Sequence, residues 1–189
     1  MLIPLSEITK DYVFTEDNYL KMALILLRIR AKIPVIMMGE TGCGKTSLIR
    51  KLSEMLHNGD KNRMKILNIH AGTSDKDIIK FLEKKVIPKA KSLQEYERKK
   101  IKKFKEKELI HYEEKFWVFL DEINTCKSMG LISEMMCKHS YQGKPLPSNI
   151  AFIAACNPYR YGSNKQKTKI GLEAKNAIKQ IEDNLKDVK

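Results

Sequence analysis

The sequence lacks any apolar run long enough to cross a bilayer. Its longest apolar stretch covers residues 33–38, whereas a membrane-spanning helix needs about 20 apolar residues. A secretion or transit signal is also missing from the first segment, because Glu7, Asp11 and Glu16 precede the first long apolar segment. We therefore expect no membrane span and a cytoplasmic location.

Cysteine is sparse as well. The 189 residues contain four cysteines and no Cys-x-x-Cys pair. Disulfide frameworks and structural zinc sites are built from regularly spaced pairs of such residues. Reduced thiols without a metal are therefore the expectation.

Negative charge is in deficit: 36 Lys and Arg face 23 Asp and Glu, which gives a net charge of +13. Such a balance suits a nucleic-acid or other acidic partner. However, most of the excess is lysine with glutamates interspersed, as around the basic run 98–105. We therefore expect a solvated lysine-rich surface, and nucleic acid is not the expected partner, although it remains the alternative.

Short apolar runs alternate with helical patterns along the chain. Strands are predicted at 34–38, 65–70, 116–120 and 150–155, and helices at about 15–31, 47–56, 74–86, 89–114 and 129–139. Pro88 is expected to end the third helix, so that a separate, charged helix follows. This alternation predicts an α/β fold of αβα layers around a mainly parallel sheet, with ligands bound at the carboxyl ends of the strands.

A glycine-rich loop follows the first predicted strand and precedes a helix. It matches G-x-x-x-x-G-K-[ST] in full, with the residues Gly39, Glu40, Thr41, Gly42, Cys43, Gly44, Lys45 and Thr46. In this motif backbone N–H groups surround phosphates, the lysine reaches the β- and γ-phosphates, and the hydroxyl binds magnesium. The loop therefore predicts that the chain binds ATP with Mg²⁺.

Polar residues also follow two later strands. Asp121 and Glu122 end the third strand, where one acid would hold Mg²⁺ and the other would act as general base on the attacking water. Asn157 follows the fourth strand and would contact the γ-phosphate or that water. Asn124 is either a local turn cap or a supporting partner of the site, and we expect Arg160 to pair with a surface acid rather than to act as an arginine finger.

The order of these motifs resembles the AAA+ ATPases and, more narrowly, an ATPase module of the mysterin family of giant AAA+ RING-type ubiquitin ligases. The matching stretches are residues 12–18, 26–30, 33–46, 70–73, 119–125, 143–147 and 153–160. The resemblance implies Walker A roles for Lys45 and Thr46, Walker B roles for Asp121 and Glu122, and a sensor-1 role for Asn157.

The residue patterns and the resemblance together predict the domain layout. Residues 1–31 would form an N-terminal segment with an entry helix, and residues 32–161 the AAA+ nucleotide-binding core with a charged helical insertion at about 89–114. Residues 162–189 would form a polar tail with an amphipathic helix. Because no fifth strand, helical lid or RING cysteine pattern is found, we expect a fragment whose partners are neighbouring AAA+ modules and, through the resemblance, the ubiquitin machinery.

Three functions fit these observations. The leading hypothesis is ATP hydrolysis by an AAA+ module of a mysterin-like ubiquitin ligase. The alternatives are a nucleotide-binding structural module without turnover and a nucleic-acid-handling AAA+ ATPase. The intact lysine and acid pair favour hydrolysis, whereas the missing lid favours binding alone.

Overall fold

Four parallel strands form one sheet in the computed structural model, which describes residues 10–103 and 114–158, with the backbone alone at 100–103. In chain order the strands of the fold are β1 (Val35–Met38), β2 (Met64–Asn68), β3 (Phe116–Asp121), β4 (Ser140–Tyr141), β5 (Lys144–Pro145) and β6 (Ile150–Cys156). The sheet has the order β1-β6-β3-β2, and β4 pairs with β5 in a separate antiparallel hairpin.

Helices connect the strands of the sheet. The α-helices are α1 (Glu16–Arg30), α2 (Lys45–Leu56), α3 (Asp75–Phe81), α4 (Ile87–Lys103) and α5 (Met129–Ser133). Short 3₁₀ turns lie at Lys61–Arg63 and Ile123–Thr125, and π-helical turns at Leu82–Val86 and Glu134–Lys138. Strands that alternate with crossover helices confirm the predicted α/β class.

The sheet is buried on both faces, which explains why β3 is continuously apolar. Phe116, Val118 and Leu120 pack on the side of α3, α4 and α5. Trp117 and Phe119 point the opposite way, into the core that α1 and α2 cover. The three layers are therefore helices, sheet and helices, as predicted.

The prediction that Pro88 ends a helix is wrong. The chain is helical without a break from Asp75 to Lys103, and the π-helical turn Leu82–Val86 lies just before Pro88. Within this turn the N–H of Ile87 donates to the carbonyl of Leu82, five residues earlier. After this turn the helix again has α-helical geometry, with hydrogen bonds between residues four apart. Pro88, which has no N–H to donate, lies directly at this change, and the helix continues past it. The predicted charged insertion therefore begins as a continuation of α3, and its residues 104–113 lie outside the described part.

The segment after α5 also differs from the prediction. Instead of one α-helix to His139, a short α-helix passes into a π-helical turn, and His139 has a left-handed backbone with φ 52°. The following turn proves to be the tip of the β4–β5 hairpin, and the carboxylate of Glu134 accepts N–H bonds from Gln142 and Gly143 at 3.1 and 2.9 Å. This distant side chain stabilises a two-residue pairing that strand patterns do not reveal.

No helix within residues 10–103 or 114–158 is long and apolar enough to cross a membrane. The predicted amphipathic helix of the tail lies outside the described residues. The predicted domain boundaries therefore remain predictions.

The environment of His57 predicts that the stability of the fold depends on pH. Its ring lies edge-on to Trp117 with 5.7 Å between ring centroids, and Nδ1 is 3.1 Å from the hydroxyl of Ser53. Burial and then the charge of Arg63 lower the pKa of His57. The unfolded chain therefore takes up this proton at a higher pH than the folded chain does, so stability is lost as pH falls below about 6.5.

We expect the free energy of unfolding in urea to decrease between pH 7.5 and 5.5. In His57→Phe, which keeps an aromatic ring against Trp117, this decrease should be smaller. Equal pH dependence of the two proteins would show that His57 is not the group responsible.

Candidate functional site

The loop between β1 and α2 curls because of its glycines. Gly42 and Gly44 have φ of +85° and +84°, a left-handed conformation that favours glycine. At Gly39 a Cβ atom would lie 2.8 Å from Sγ of Cys43, so a larger residue would displace that side chain. The sequence G-x-x-G-x-G therefore allows a compact loop over the end of the sheet.

The lysine that follows this loop folds back across it. Nζ of Lys45 donates to the carbonyl oxygens of Gly39 and Glu40 at 2.8 and 2.9 Å. The same Nζ lies 3.2 Å from Oδ1 of Asn157, which follows β6. A positive charge is thereby fixed between the loop and the carboxyl end of β6.

The amino terminus of α2 is open to an anion. Gly44 at its N-cap supplies no side-chain hydrogen bond, and the first turn contains no acidic residue. The first N–H groups of a helix lack internal partners and lie at the positive end of the helix dipole. In this setting, beside Lys45, they are suited to bind phosphate.

The next elements bring an acid pair to the same place. The hydroxyl of Thr46 donates to Oδ2 of Asp121 at 2.6 Å, which joins the start of α2 to the end of β3. The other carboxylate oxygen, Oδ1, accepts the N–H of Glu122 at 3.1 Å. A hydroxyl and a carboxylate are therefore held side by side, as hard oxygen ligands for a cation would be.

Glu122 turns the chain sharply out of the sheet. Its φ of +58° is in the left-handed region that a non-glycine residue seldom adopts. Strained backbone of this kind is frequent at functional sites. The turn exposes the Glu122 carboxylate to the cleft, where Oε1 accepts from Nδ2 of Asn157 at 3.5 Å.

These side chains surround one cleft of about 240 Å³. Its lining consists of Thr41, Gly42, Gly44, Lys45, Thr46, Ser47, Asp121, Glu122 and Asn157. The structure thus brings together most of the residues that the sequence singled out. Gly39, Glu40 and Cys43 do not line this cleft, although the first two contribute carbonyl oxygens to Lys45.

Ser47 is the lining residue that sequence reasoning missed. It follows the glycine-rich motif directly and lies in the first turn of α2. This position next to Thr46 is the sequence feature that could have identified it. Asn124, which the sequence left open, contacts the backbone of Asn157. Arg160 lies outside the described residues.

A second cleft of about 340 Å³ adjoins the first and shares Gly44 and Lys45 with it. It extends between α1 and β1, and its apolar lining includes Leu24, Val35 and Leu48. A polar cleft and a mainly apolar one therefore meet at the glycine-rich loop.

The donor set fits magnesium better than a metal that needs a protein cage. Within the described ranges no group of three or more His, Cys, Asp or Glu side chains could hold a metal. Mg²⁺ is commonly bound by one or two protein oxygens, while water and nucleotide phosphates supply the other ligands. Thr46 and Asp121 provide such a pair of oxygens, which lie 2.6 Å from each other.

Comparisons with known proteins agree with this geometry. A family model described as the RNF213 AAA domain matches residues 12–160. The E3 ubiquitin-protein ligase rnf213-beta of Danio rerio is 36% identical over 180 residues, which cover 92% of this chain and 3% of that protein. The E3 ubiquitin-protein ligase RNF213 of Homo sapiens is 35% identical over 159 residues, which cover 82% of this chain and 3% of that protein.

A more distant match is the chaperone protein ClpB of Clostridium perfringens, 32% identical over 120 residues, which cover 64% of this chain and 13% of that protein. The chain spans about 3% of the length of the two ligases. The family match covers most of the chain, contains the entire cleft, and implies nucleotide binding. The chain therefore belongs to the RNF213 (mysterin) AAA domain family.

Proposed function

We propose that this chain binds ATP with Mg²⁺ and hydrolyses it, as one AAA+ module of a mysterin-like ubiquitin ligase. The observation that carries the proposal is the meeting of Lys45, Glu122 and Asn157, which come from three distant parts of the sequence. Nζ of Lys45 lies 3.2 Å from Oδ1 of Asn157, and Nδ2 of Asn157 lies 3.5 Å from Oε1 of Glu122. An ammonium, an amide and a carboxylate in a row are suited to the hydrolysis of a phosphoanhydride bond such as the β,γ bond of ATP.

In this proposal the loop and α2 bind the phosphates. The N–H groups from Gly42 to Thr46 would donate to the phosphate oxygens, and the Lys45 ammonium would offset part of their negative charge. Thr46 with Asp121 would hold the metal that accompanies the triphosphate. The metal, when bound, supplies positive charge to the phosphate oxygens. The larger cleft beside α1 takes the nucleoside, because its apolar walls suit a base more than a further phosphate.

Turnover would depend on Glu122. Its carboxylate accepts a proton from a water molecule as the water oxygen forms a bond to the γ-phosphorus. The bond from that phosphorus to the β,γ-bridging oxygen breaks, and ADP and phosphate leave. Asn157 holds the carboxylate on one side and Lys45 on the other, so base and cation keep a fixed separation.

The ligase function belongs to this proposal only through the relatives. Both RNF213 proteins are named as E3 ubiquitin-protein ligases, and we assign to this chain the role of an ATP-driven module, with neighbouring AAA+ modules as partners. A structural module that binds nucleotide without turnover would keep the same phosphate contacts. Turnover therefore separates the two functions.

The test is calorimetry with ATP and ADP together with a phosphate-release assay, with Mg²⁺ and with excess EDTA. We expect binding and turnover with Mg²⁺, and turnover should fall below detection in EDTA and return when Mg²⁺ is restored. Binding without phosphate release would support the structural module. Absence of binding to either nucleotide would overturn the proposal.

A further inference from the structure

Asn124 lies in the 3₁₀ turn that follows the acid pair, two residues after Glu122. Its side-chain amide makes two hydrogen bonds to one residue 33 positions away. Nδ2 donates to the carbonyl oxygen of Asn157 at 3.2 Å, and Oδ1 accepts the N–H of Asn157 at 3.3 Å. Donor and acceptor are both used, so the side chain pairs with the backbone of Asn157 as a neighbouring peptide would.

This pairing occurs where the sheet no longer supplies a partner. In the described sheet the register between β3 and β6 ends with Leu120 opposite Ala154. Beyond that point the chain leaves β3 through the left-handed Glu122. On the other side of β6, β1 still pairs, with Met38 opposite Cys156. Asn124 therefore provides the bonds that a longer β3 would give to Asn157.

A local turn cap does not explain these contacts. The 3₁₀ turn is closed by Thr125, whose N–H and hydroxyl both donate to the carbonyl of Glu122, at 3.1 and 2.9 Å. The Thr125 hydroxyl also lies 3.3 Å from the carbonyl of Ile69. The Asn124 side chain, in contrast, bonds to the backbone of Asn157. Of the two interpretations that the sequence left open, the structure favours the supporting partner.

We propose that Asn124 is a positioning residue that fixes the backbone of Asn157 and, through it, the separation between Lys45 and Glu122. The side chain of Asn157 reaches Lys45 with Oδ1 and Glu122 with Nδ2, so a rotation of its backbone moves both contacts together. The consequence for turnover rests on the proposed function. The positioning itself can be measured without nucleotide.

The first measurement is amide hydrogen exchange by NMR on the nucleotide-free chain. Asn124→Leu removes both bonds at similar size, and the N–H of Asn157 should then exchange about tenfold faster or more, while residues 151–154 in β6 keep their protection. Asn124→Asp keeps an acceptor for that N–H and should retain much of the protection. Asn68→Leu, at the exposed end of β2, which pairs with β3 and not with β6, is the matched control and should leave the exchange of Asn157 unchanged.

The second measurement is a double-mutant cycle on turnover with Asn124→Leu and Asn157→Ala. We expect Asn124→Leu to lower kcat on the order of tenfold with little change in KM, because the phosphate-binding loop remains intact. Added to Asn157→Ala, it should cause no further loss, since both changes remove the same interaction. A structural role alone would instead reduce stability and leave kcat of the folded fraction unchanged.

The outcomes separate the two proposals. If the amide of Asn157 keeps its protection in Asn124→Leu, or if the two effects on kcat multiply independently, the positioning role is wrong. If the wild-type chain binds ATP without turnover, hydrolysis fails as a function. The exchange result, which needs no nucleotide, then still decides the positioning role.

Discussion

Lys45→Ala is expected to lower the affinity for ATP at least tenfold, which corresponds to about 1.4 kcal/mol or more. The lysine supplies a positively charged side chain to the cleft that we propose binds the phosphates. Its Nζ is already held by the carbonyls of Gly39 and Glu40, so little ordering of the side chain is needed when phosphate binds. Isothermal calorimetry with MgATP on the wild type and the variant measures this difference.

Arg50→Ala is a suitable control for this change. Arg50 is exposed on the same helix, so its removal alters the net charge equally without reaching the cleft. We expect its ATP affinity to stay within about twofold of the wild type, because exposed charges are screened by salt. Urea unfolding of both variants is needed, since Lys45 also bonds to Asn157. Equal ATP affinity of a folded Lys45→Ala and the wild type would contradict the proposed phosphate site.

Local signals made the candidate site predictable. The loop is contiguous in sequence, and its glycines, lysine and threonine act within eight residues. Asp121 and Asn157 were found because each comes directly after an apolar run that predicts a strand, and parallel strands bring their carboxyl ends to one edge of a sheet. The fold class followed from the same alternation. Proximity between Lys45 and Asn157 could therefore be expected without coordinates.

Other features depend on contacts that sequence patterns do not encode. Pro88 is a strong helix breaker in general, and here the helix continues through it after a π-helical turn that the sequence pattern does not reveal. The β4–β5 hairpin has two residues per strand and relies on Glu134, which is eight and nine residues from the N–H groups it accepts. The contact between Asn124 and Asn157 depends on the point at which β3 and β6 cease to pair. Such features require the three-dimensional register.

The register also determines how the candidate base is presented. Asp121 still belongs to β3 and lies opposite Asn68 in the pairing with β2, so its carboxylate is held near Thr46 by the sheet. Glu122, one residue later, has left the sheet with φ +58°. The two adjacent acids are therefore placed differently: Asp121 is fixed beside the start of α2, and Glu122 is directed into the open cleft.

Glu122→Gln is expected to abolish most turnover while ATP binding stays within about threefold of the wild type. Glutamine keeps the shape of the side chain, and its carbonyl oxygen can still accept from Nδ2 of Asn157, as the carboxylate does at 3.5 Å. It cannot take a proton at neutral pH, so the loss should fall on kcat, by roughly 10²–10⁴-fold. Phosphate release under saturating MgATP measures kcat, and calorimetry measures binding.

Glu95→Gln makes the same chemical change on the exposed surface of α4, and its kcat should match that of the wild type. Because Glu122 and Gln have similar volume and hydrogen-bonding reach, a folding defect is not the expected cause of a lower kcat, and urea unfolding checks this directly. If Glu122→Gln loses ATP affinity and kcat together, the carboxylate acts in binding rather than as base. If it hydrolyses ATP at the wild-type rate, the proton acceptor is another group, and the assignment of Glu122 fails while the phosphate site tested through Lys45 stands.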